Sequence, residues 1–524
     1  MKHCLSVISA LVLIPVLASC YKDQSTFQGE VFPEITITGI EKAIFVQYGD
    51  DVTIDAHVSQ IGRTDDDFEY LWEVDAVAGS IDISGEYSRV EVGTTTHFEY
   101  KVTCPPANDP YMITFTVKDK KSGIYAIAAC AMYVTSALGE GLLVGYTRDG
   151  GVTSEIDLAS CESLTYGYQG EGIRYTRGVH ALANDGAVID GRVNTISQFV
   201  GTNGVSYNDP RYLVGTDKHF ISYDNLTFKE MARDKGNLSI TNLDEFPTTL
   251  AMPYASYCAL AVIGGDIYAC TSILDNVFTK VSYSINPSSV FGPENVSAGA
   301  LDQCDLVVFN PDKGHFAYML GWRTGLGGLG VFMTTFPFSL EGSTCIGCGA
   351  GKINTTASEQ FHNFLIKDAK GVYRLVRVDP RAGKSEAYEL DGDGLDDIVS
   401  FIACDNADIC YYATGTDIYA ILITGGKAIT RKVNFTPQAS GEKITKLVHY
   451  KQGWYGVSRN DLASYQFQLP TNRLQILVVT HDAATGEGKI YLRPFNVSTG
   501  LFTLKDNGVL TGFGEITAVG PSMR

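Results

Sequence analysis

Apolar residues along the chain come mostly in short runs of four to eight, bounded by Gly, Asn, Asp or Pro, and helical spacing is scarce. That pattern predicts an all-β protein, because strands bury alternate residues or short apolar runs and stop at turn formers. Helix is expected only in small pieces, for example around 228–233.

Over 33–137 the apolar runs fall at 35–37, 52–58, 68–74, 98–102, 112–117 and 124–134. Six or seven strands in about 100 residues suit an immunoglobulin-like sandwich, in which alternate residues face an inter-sheet core. Tyr70 and Trp72 share one face of a strand, so Trp72 is read as a core residue. Over 138–524 the rhythm changes to a repeated unit of apolar strand, tight turn and apolar-aromatic hairpin. The runs 398–404, 409–414 and 418–423 compare with 444–450, 453–457 and 462–467, and similar units lie around 212–228, 257–283, 306–333 and 364–378. A repeat every 40 to 60 residues or so matches propeller blades with variable loops, and this length holds about seven, with six or eight open. A set of unrelated sandwiches is the competing architecture. Residues 516–519 form a lone terminal strand, while 141–147 and 152–158 form a hairpin lacking its first strand. Joining them completes a blade and removes two exposed sheet edges.

The N-terminus adds an address. Lys2, an apolar run over 5–17 and then Leu17-Ala18-Ser19-Cys20 read as an export signal, 1–19, too short to span about 30 Å of hydrocarbon. Leu-Ala-Ser-Cys resembles the bacterial lipobox, which makes Cys20 the lipid-attachment residue at the head of a linker, 20–32. The balance of 40 Lys plus Arg against 59 Asp plus Glu disfavours nucleic acid as a partner. Of twelve cysteines, the closest spacing is Cys345-x2-Cys348, and a zinc ribbon would need a second such pair. Most cysteines are therefore read as buried apolar residues, with disulfides and metal or redox use as lesser readings.

With the lipobox, Cys20-Tyr21-Lys22-Asp23, Glu34-Ile35-Thr36-Ile37, the Tyr70-x-Trp72 strand and the join Gly141-Leu142-Leu143-Val144 in order, the chain resembles the PKD-like family lipoproteins of Bacteroidetes. The resemblance covers the N-terminal third by motif and the rest by architecture. It implies an outer-membrane lipoprotein, facing outward, that accompanies SusC/SusD-like nutrient importers.

Candidate chemistry is sparse. Gly325-Leu326-Gly327-Gly328-Leu329-Gly330 matches the dinucleotide fingerprint in letters, but 331–336 reads as strand where the fingerprint needs a helix. Asp391, Asp393 and Asp397, with turn glycines between, present carboxylates that could converge on calcium, although the loop lacks an EF-hand's twelfth-position Glu; a solvated acidic turn is the alternative. Trp322 with Arg323, and Trp454 with Tyr455, are the ligand-binding candidates, since aromatic faces stack on sugars and peptide side chains; blade-to-blade packing is their other use. Gly-x-Ser-x-Gly and His-Glu-x-x-His are missing. The expectation is a surface-exposed, non-catalytic binding or accessory protein for a glycan or peptide. A propeller hydrolase and a host-surface adhesin are the alternatives.

Overall fold

The computed structural model describes residues 33–79, 89–105, 107, 109–135, 139–165, 168, 170–201, 209–234, 258–263, 266–271, 278–280, 293–298, 306–319, 330–354, 359–451, 469–503 and 507–522. Strand dominates among them, and no helix there is long and apolar enough to cross a membrane. Contacts divide the chain into two compact units. One holds Asp51–Lys101, Asp109–Met132 and the chain up to Ile44; the other holds Tyr133–Arg524 with Phe45–Asp50 and Val102–Asn108.

The N-terminal strands form a five-stranded sheet, in the order Ala43–Gln47, Tyr125–Thr135, Tyr111–Asp119, Phe68–Asp75, Arg89–Gly93, and two two-stranded sheets. Trp72 is fully buried, its ring 4.2 Å from Phe115 in its own sheet and 4.9 Å from Phe98 in the facing pair of strands. Its Nε1 donates to the Thr95 carbonyl at 2.9 Å, so the polar edge is satisfied while the rings fill the core. Truncating such a residue costs about 3–5 kcal/mol. Strands Ala43–Gln47 and Arg89–Gly93 escaped the sequence reading because they are edges whose two faces are similarly exposed, which leaves little alternation to detect.

The remaining described strands make seven sheets. Named in hydrogen-bonded order, which starts at the innermost strand in every blade but the third, where only three strands are described, blade 1 is Glu515–Ser522, Gly141–Thr147, Thr153–Ser160 and Arg174–Thr176, and blade 2 is Val193–Gly201, Asp209–Thr216, Phe220–Asp224 and Glu230–Arg233. Blade 3 has Cys258–Ile263, Asp266–Thr271 and Thr279–Lys280; blade 4 has Val296–Ala298, Leu306–Asn310, His315–Met319 and Gly330–Phe332. Blade 5 is Thr344–Asn354, Glu359–Lys367, Tyr373–Asp379 and Lys384–Glu389, and blade 6 is Ser400–Ala403, Ile409–Ala413, Ile418–Thr424 and Lys427–Lys432. Blade 7 is Lys443–His449, Gln475–Asp482, Glu487–Pro494 and Val509–Phe513. This is a seven-bladed β-propeller. Shared apolar clusters join neighbouring blades: Val307 and Phe309 with Phe364, Leu375 with Tyr412, Tyr411 with Ile476, Leu477 with Leu142, and Ile156 with Val214.

The terminal strand closes the ring as the sequence predicts, and over a longer span. Thr147 pairs with Glu515, Val144 with Val519 and Gly141 with Ser522. Gly520 is needed there, because a Cβ would stand 2.3 Å from the Ile196 carbonyl oxygen of blade 2. Blade 7 reaches the same strand through Lys446, whose Nζ donates to the Thr517 carbonyl at 3.2 Å.

One expectation is corrected. The piece at 228–233 is no helix: Phe228 has a left-handed φ of 56° and Glu230–Arg233 is the outer strand of blade 2; the short α-helix lies at Val179–Ala183. In blade 7 the strand read at 444–450 pairs, among the described residues, with Gln475–Asp482, which the sequence reading did not single out. The expected partners, 453–457 and 462–467, lie outside the described residues.

Candidate functional site

An antiparallel meander sends alternate connections to opposite ends of a blade, so the first-to-second turns of all blades emerge on one face of the ring. On that face the turns of blades 6 and 7 meet around one carboxylate. Asp405 follows the innermost strand of blade 6; His449 and Lys451 end that of blade 7, and Arg473 precedes its second strand. Asp405 is fully buried, with Arg473 Nε at 2.8 Å from Oδ1 and Lys451 Nζ at 2.9 Å from Oδ2. A second Arg473 nitrogen donates to the Asp405 carbonyl at 2.8 Å. Both Asn406 Nδ2 and His449 Nε2 donate to the Arg473 carbonyl, the latter at 2.9 Å. Arg473 adopts a left-handed φ of 61°, a conformation costing about 1–2 kcal/mol for a residue with a Cβ. Strain of this kind persists where surrounding contacts over-determine the backbone. The Asp405 backbone adds a tie to blade 5, accepting from Ile353 N at 2.9 Å.

Burial alone would raise the Asp405 carboxyl, but Lys451, His449 and Arg473 outweigh it and hold the group below the ordinary carboxylate range. Burial pushes the His449 imidazole down to about 4 against the opposing pull of Asp405, so it is neutral near pH 7. With Nε2 donating, Nδ1 carries the lone pair; it lies 3.8 Å from Asp405 Oδ1 with no hydrogen-bond partner. Asn406 Oδ1 and Gln475 Nε2 are also buried without partners, although Gln475 Oε1 accepts from Asn507 at 2.6 Å. The cluster therefore combines a charged frame with two unused acceptors, His449 Nδ1 and Asn406 Oδ1. Such acceptors suit hydroxyl or amide donors.

Of the residues singled out from sequence, Trp322, Arg323, Trp454, Tyr455 and Cys20 lie outside the described residues. Asp391, Asp393 and Asp397 fall in the connection from blade 5 to blade 6, at the opposite end of the innermost strand from Asp405, and all three are exposed. They do not build the expected calcium site: among the described residues no three His, Cys, Asp or Glu side chains group closely enough to hold a metal. The loop spends its geometry on turning, with Gly394 in the left-handed region before the short helix Leu395–Asp397. Asp396 binds Lys367 and the Tyr373 hydroxyl, each at 2.8 Å. The Gly-rich run leads into the strand Gly330–Phe332, as its following residues predict. Cys104, Cys130, Cys161, Cys345, Cys404 and Cys410 are buried, and Cys348 is half-buried. One hydroxyl–imidazole pair, Ser297 Oγ to His362 Nδ1 at 2.8 Å, is sealed, with both residues 1% exposed.

Sequence reasoning missed Asp405 because its partners stand 44 to 68 residues downstream, at His449 and Arg473. The available signal was weak: charged residues next to the apolar runs that end two neighbouring inner strands.

No family model matches the chain, and no curated protein matches it in sequence. Among solved structures it is similar to a quinonprotein alcohol dehydrogenase-like protein of Bacteroides thetaiotaomicron (TM-score 0.44, 12% identity, covering 94% of this chain and 100% of that one). It is also similar to a periplasmic gluconolactonase of Pseudomonas aeruginosa (TM-score 0.39, 10% identity, 72% and 98%) and to apo AztD of Citrobacter koseri (0.38, 10%, 87% and 98%). The propeller assignment rests on the seven sheets and their closure.

Proposed function

We propose that the chain is an outer-membrane lipoprotein of the PKD-like kind, tied to the cell surface through Cys20, whose ring binds a glycan or peptide as a non-catalytic accessory of a SusC/SusD-like uptake system. The observation that carries the binding role is the Asp405 cluster, where His449 Nδ1 and Asn406 Oδ1 stand unpaired beside the Lys451 and Arg473 cations. Unpaired buried polar atoms are costly, and a bound polar group that pairs them recovers that cost. The lipobox at Cys20 supports the address, and the order of sandwich before ring supports a spacer that carries a binding head.

The test uses full-length protein in detergent, challenged with a panel of glycans and peptides and read by melting temperature and isothermal titration. One class should bind, and Lys451→Ala should weaken it while Asp391→Asn leaves it unchanged. Equal binding by both variants removes the cluster from the reading. Loss of membrane fractionation and palmitate label in Cys20→Ala tests the anchor separately, and crosslinking in cells to a SusC/SusD-like pair tests the partner.

A further inference from the structure

The innermost strand of blade 5 carries a β-bulge between its two cysteines. Against Glu359–Lys367, Cys345 pairs with Ile366, then the register shifts so that Gly347 pairs with Leu365 and Cys348 with Phe364. In a regular strand, residues three apart point to opposite faces. One extra residue cancels a step, so Cys345 and Cys348 share the face of Ile366 and Phe364, which are two apart on the partner. Packing agrees with register. Cys345, Phe364 and Ile366 belong to one buried cluster with Cys348 against it, while Ile346 packs on the other side toward blade 6. Gly347 permits the bulge to press on blade 6, where a Cβ would stand 2.9 Å from that of Phe401.

Across from the two thiols runs the start of blade 4. Cys345 Sγ donates to the Glu294 carbonyl. Burial, with the Glu294 carboxylate adding, pushes both thiols far above the ordinary range. Cys345 is buried and Cys348 half-buried. Cys404 and Cys410 of blade 6 differ: they lie in clusters on opposite faces of their sheet and cannot act together.

We propose that Cys345 and Cys348 form a two-sulfur site for a soft monovalent cation of the Cu(I) class. Thiolate sulfur selects such ions over hard ones, and two sulfurs on one face suffice for linear coordination. Two strand steps span about 6.6 Å, the far end of what a disulfide bridges, whereas a cation between the sulfurs spans more. On binding, two S–H bonds break, two S–Cu bonds form, two protons leave to solvent and no electron moves. The product carries one negative charge beside Glu294, so affinity rises with pH and rises again when that carboxylate is neutralised.

Reduced full-length protein in detergent, kept anaerobic, is titrated with Cu(I) against a chromogenic Cu(I) chelator. One ion per chain should be retained. Cys345→Ser and Cys348→Ser should each weaken it about 100-fold or more, beyond the loss of a supporting contact; Cys410→Ser should leave it unchanged and Glu294→Gln should tighten it. X-ray absorption should find two sulfur neighbours. Unchanged affinity in both serine variants, or a Cys345–Cys348 disulfide in the protein as purified, overturns the proposal. Should the serine variants misfold, mass mapping of maleimide labelling on the unaltered chain decides: Cu(I) must protect Cys348, and undiminished labelling refutes the site.

Discussion

The strand Ser400–Ala403 has acidic sequence at both ends, and the two ends behave differently. Before it, Asp391, Asp393, Asp396 and Asp397 crowd into one exposed loop without converging on a common point. After it, Asp405 is fully enclosed and gathers three basic residues from blade 7. Density of charge along a sequence thus says little about convergence in space. Water solvates four carboxylates in a turn at small cost, whereas one carboxylate removed from water must find its partners in the fold.

The sharpest way to break this contrast is Asp405→Ala. It leaves Lys451 and Arg473 without their buried counter-charge, and removing one member of a buried ion pair costs about 3–5 kcal/mol. Thermal unfolding of the full chain should show a large drop; a change of under about 1 kcal/mol would place Asp405 with ordinary surface residues.

Acid comes next. His449 is held to about 4 while an unfolded imidazole titrates near 6.5, so the unfolded chain takes up a proton that the folded chain refuses. Stability tied to neutral His449 is complete above about pH 6.5 and is lost as pH falls toward 4, a difference of about 3 kcal/mol. Asp405, being depressed, keeps its contribution until pH drops below about 4. His449→Gln should therefore reduce the slope of melting temperature between pH 6.5 and 4, leaving the residual slope that His362, held to about 3, supplies together with His180 and His315, which burial also depresses. An unaltered slope would mean that His449 is solvated.

At the exposed end effects should be small. Lys367→Ala removes the cation from Asp396, a pair open to water and salt, and the melting temperature should shift far less than in either variant above. Smallest of all, Asp391→Asn combined with Asp393→Asn should leave melting unchanged, with or without millimolar calcium. A calcium-dependent rise that the double variant abolishes would restore a cation to the loop.

The same contrast separates what was legible beforehand from what was not. Seven blades, the buried Trp72 and the closing strand follow from alternation, apolar runs and a lone terminal strand, which are local or nearly local signals. In blade 7 the described partner of Lys443–His449 is Gln475–Asp482, which sequence reading did not pick out. The Asp405 cluster depends on which turns the ring brings side by side, and periodicity does not encode that. The cysteine pair lies between these cases. Its spacing was visible, and Gly347 inside an apolar run is the one hint of a bulge, but only the register shows both sulfurs on one face.

The clasp between the chain's last strand and blade 1 also bears on how the protein is made. Contacts such as Thr517 to Gly145, separated by 372 residues, arise only after the segment 515–522 has been synthesised. Until then Gly141–Thr147 waits as an open sheet edge, while blades 2 to 7 can assemble in the order they emerge. Long-range pairing of this kind slows folding and leaves unpaired edges open to wrong partners. A chaperone that shields strand edges would find its main task in that interval, and a chain stopped a dozen residues early would remain a permanent client.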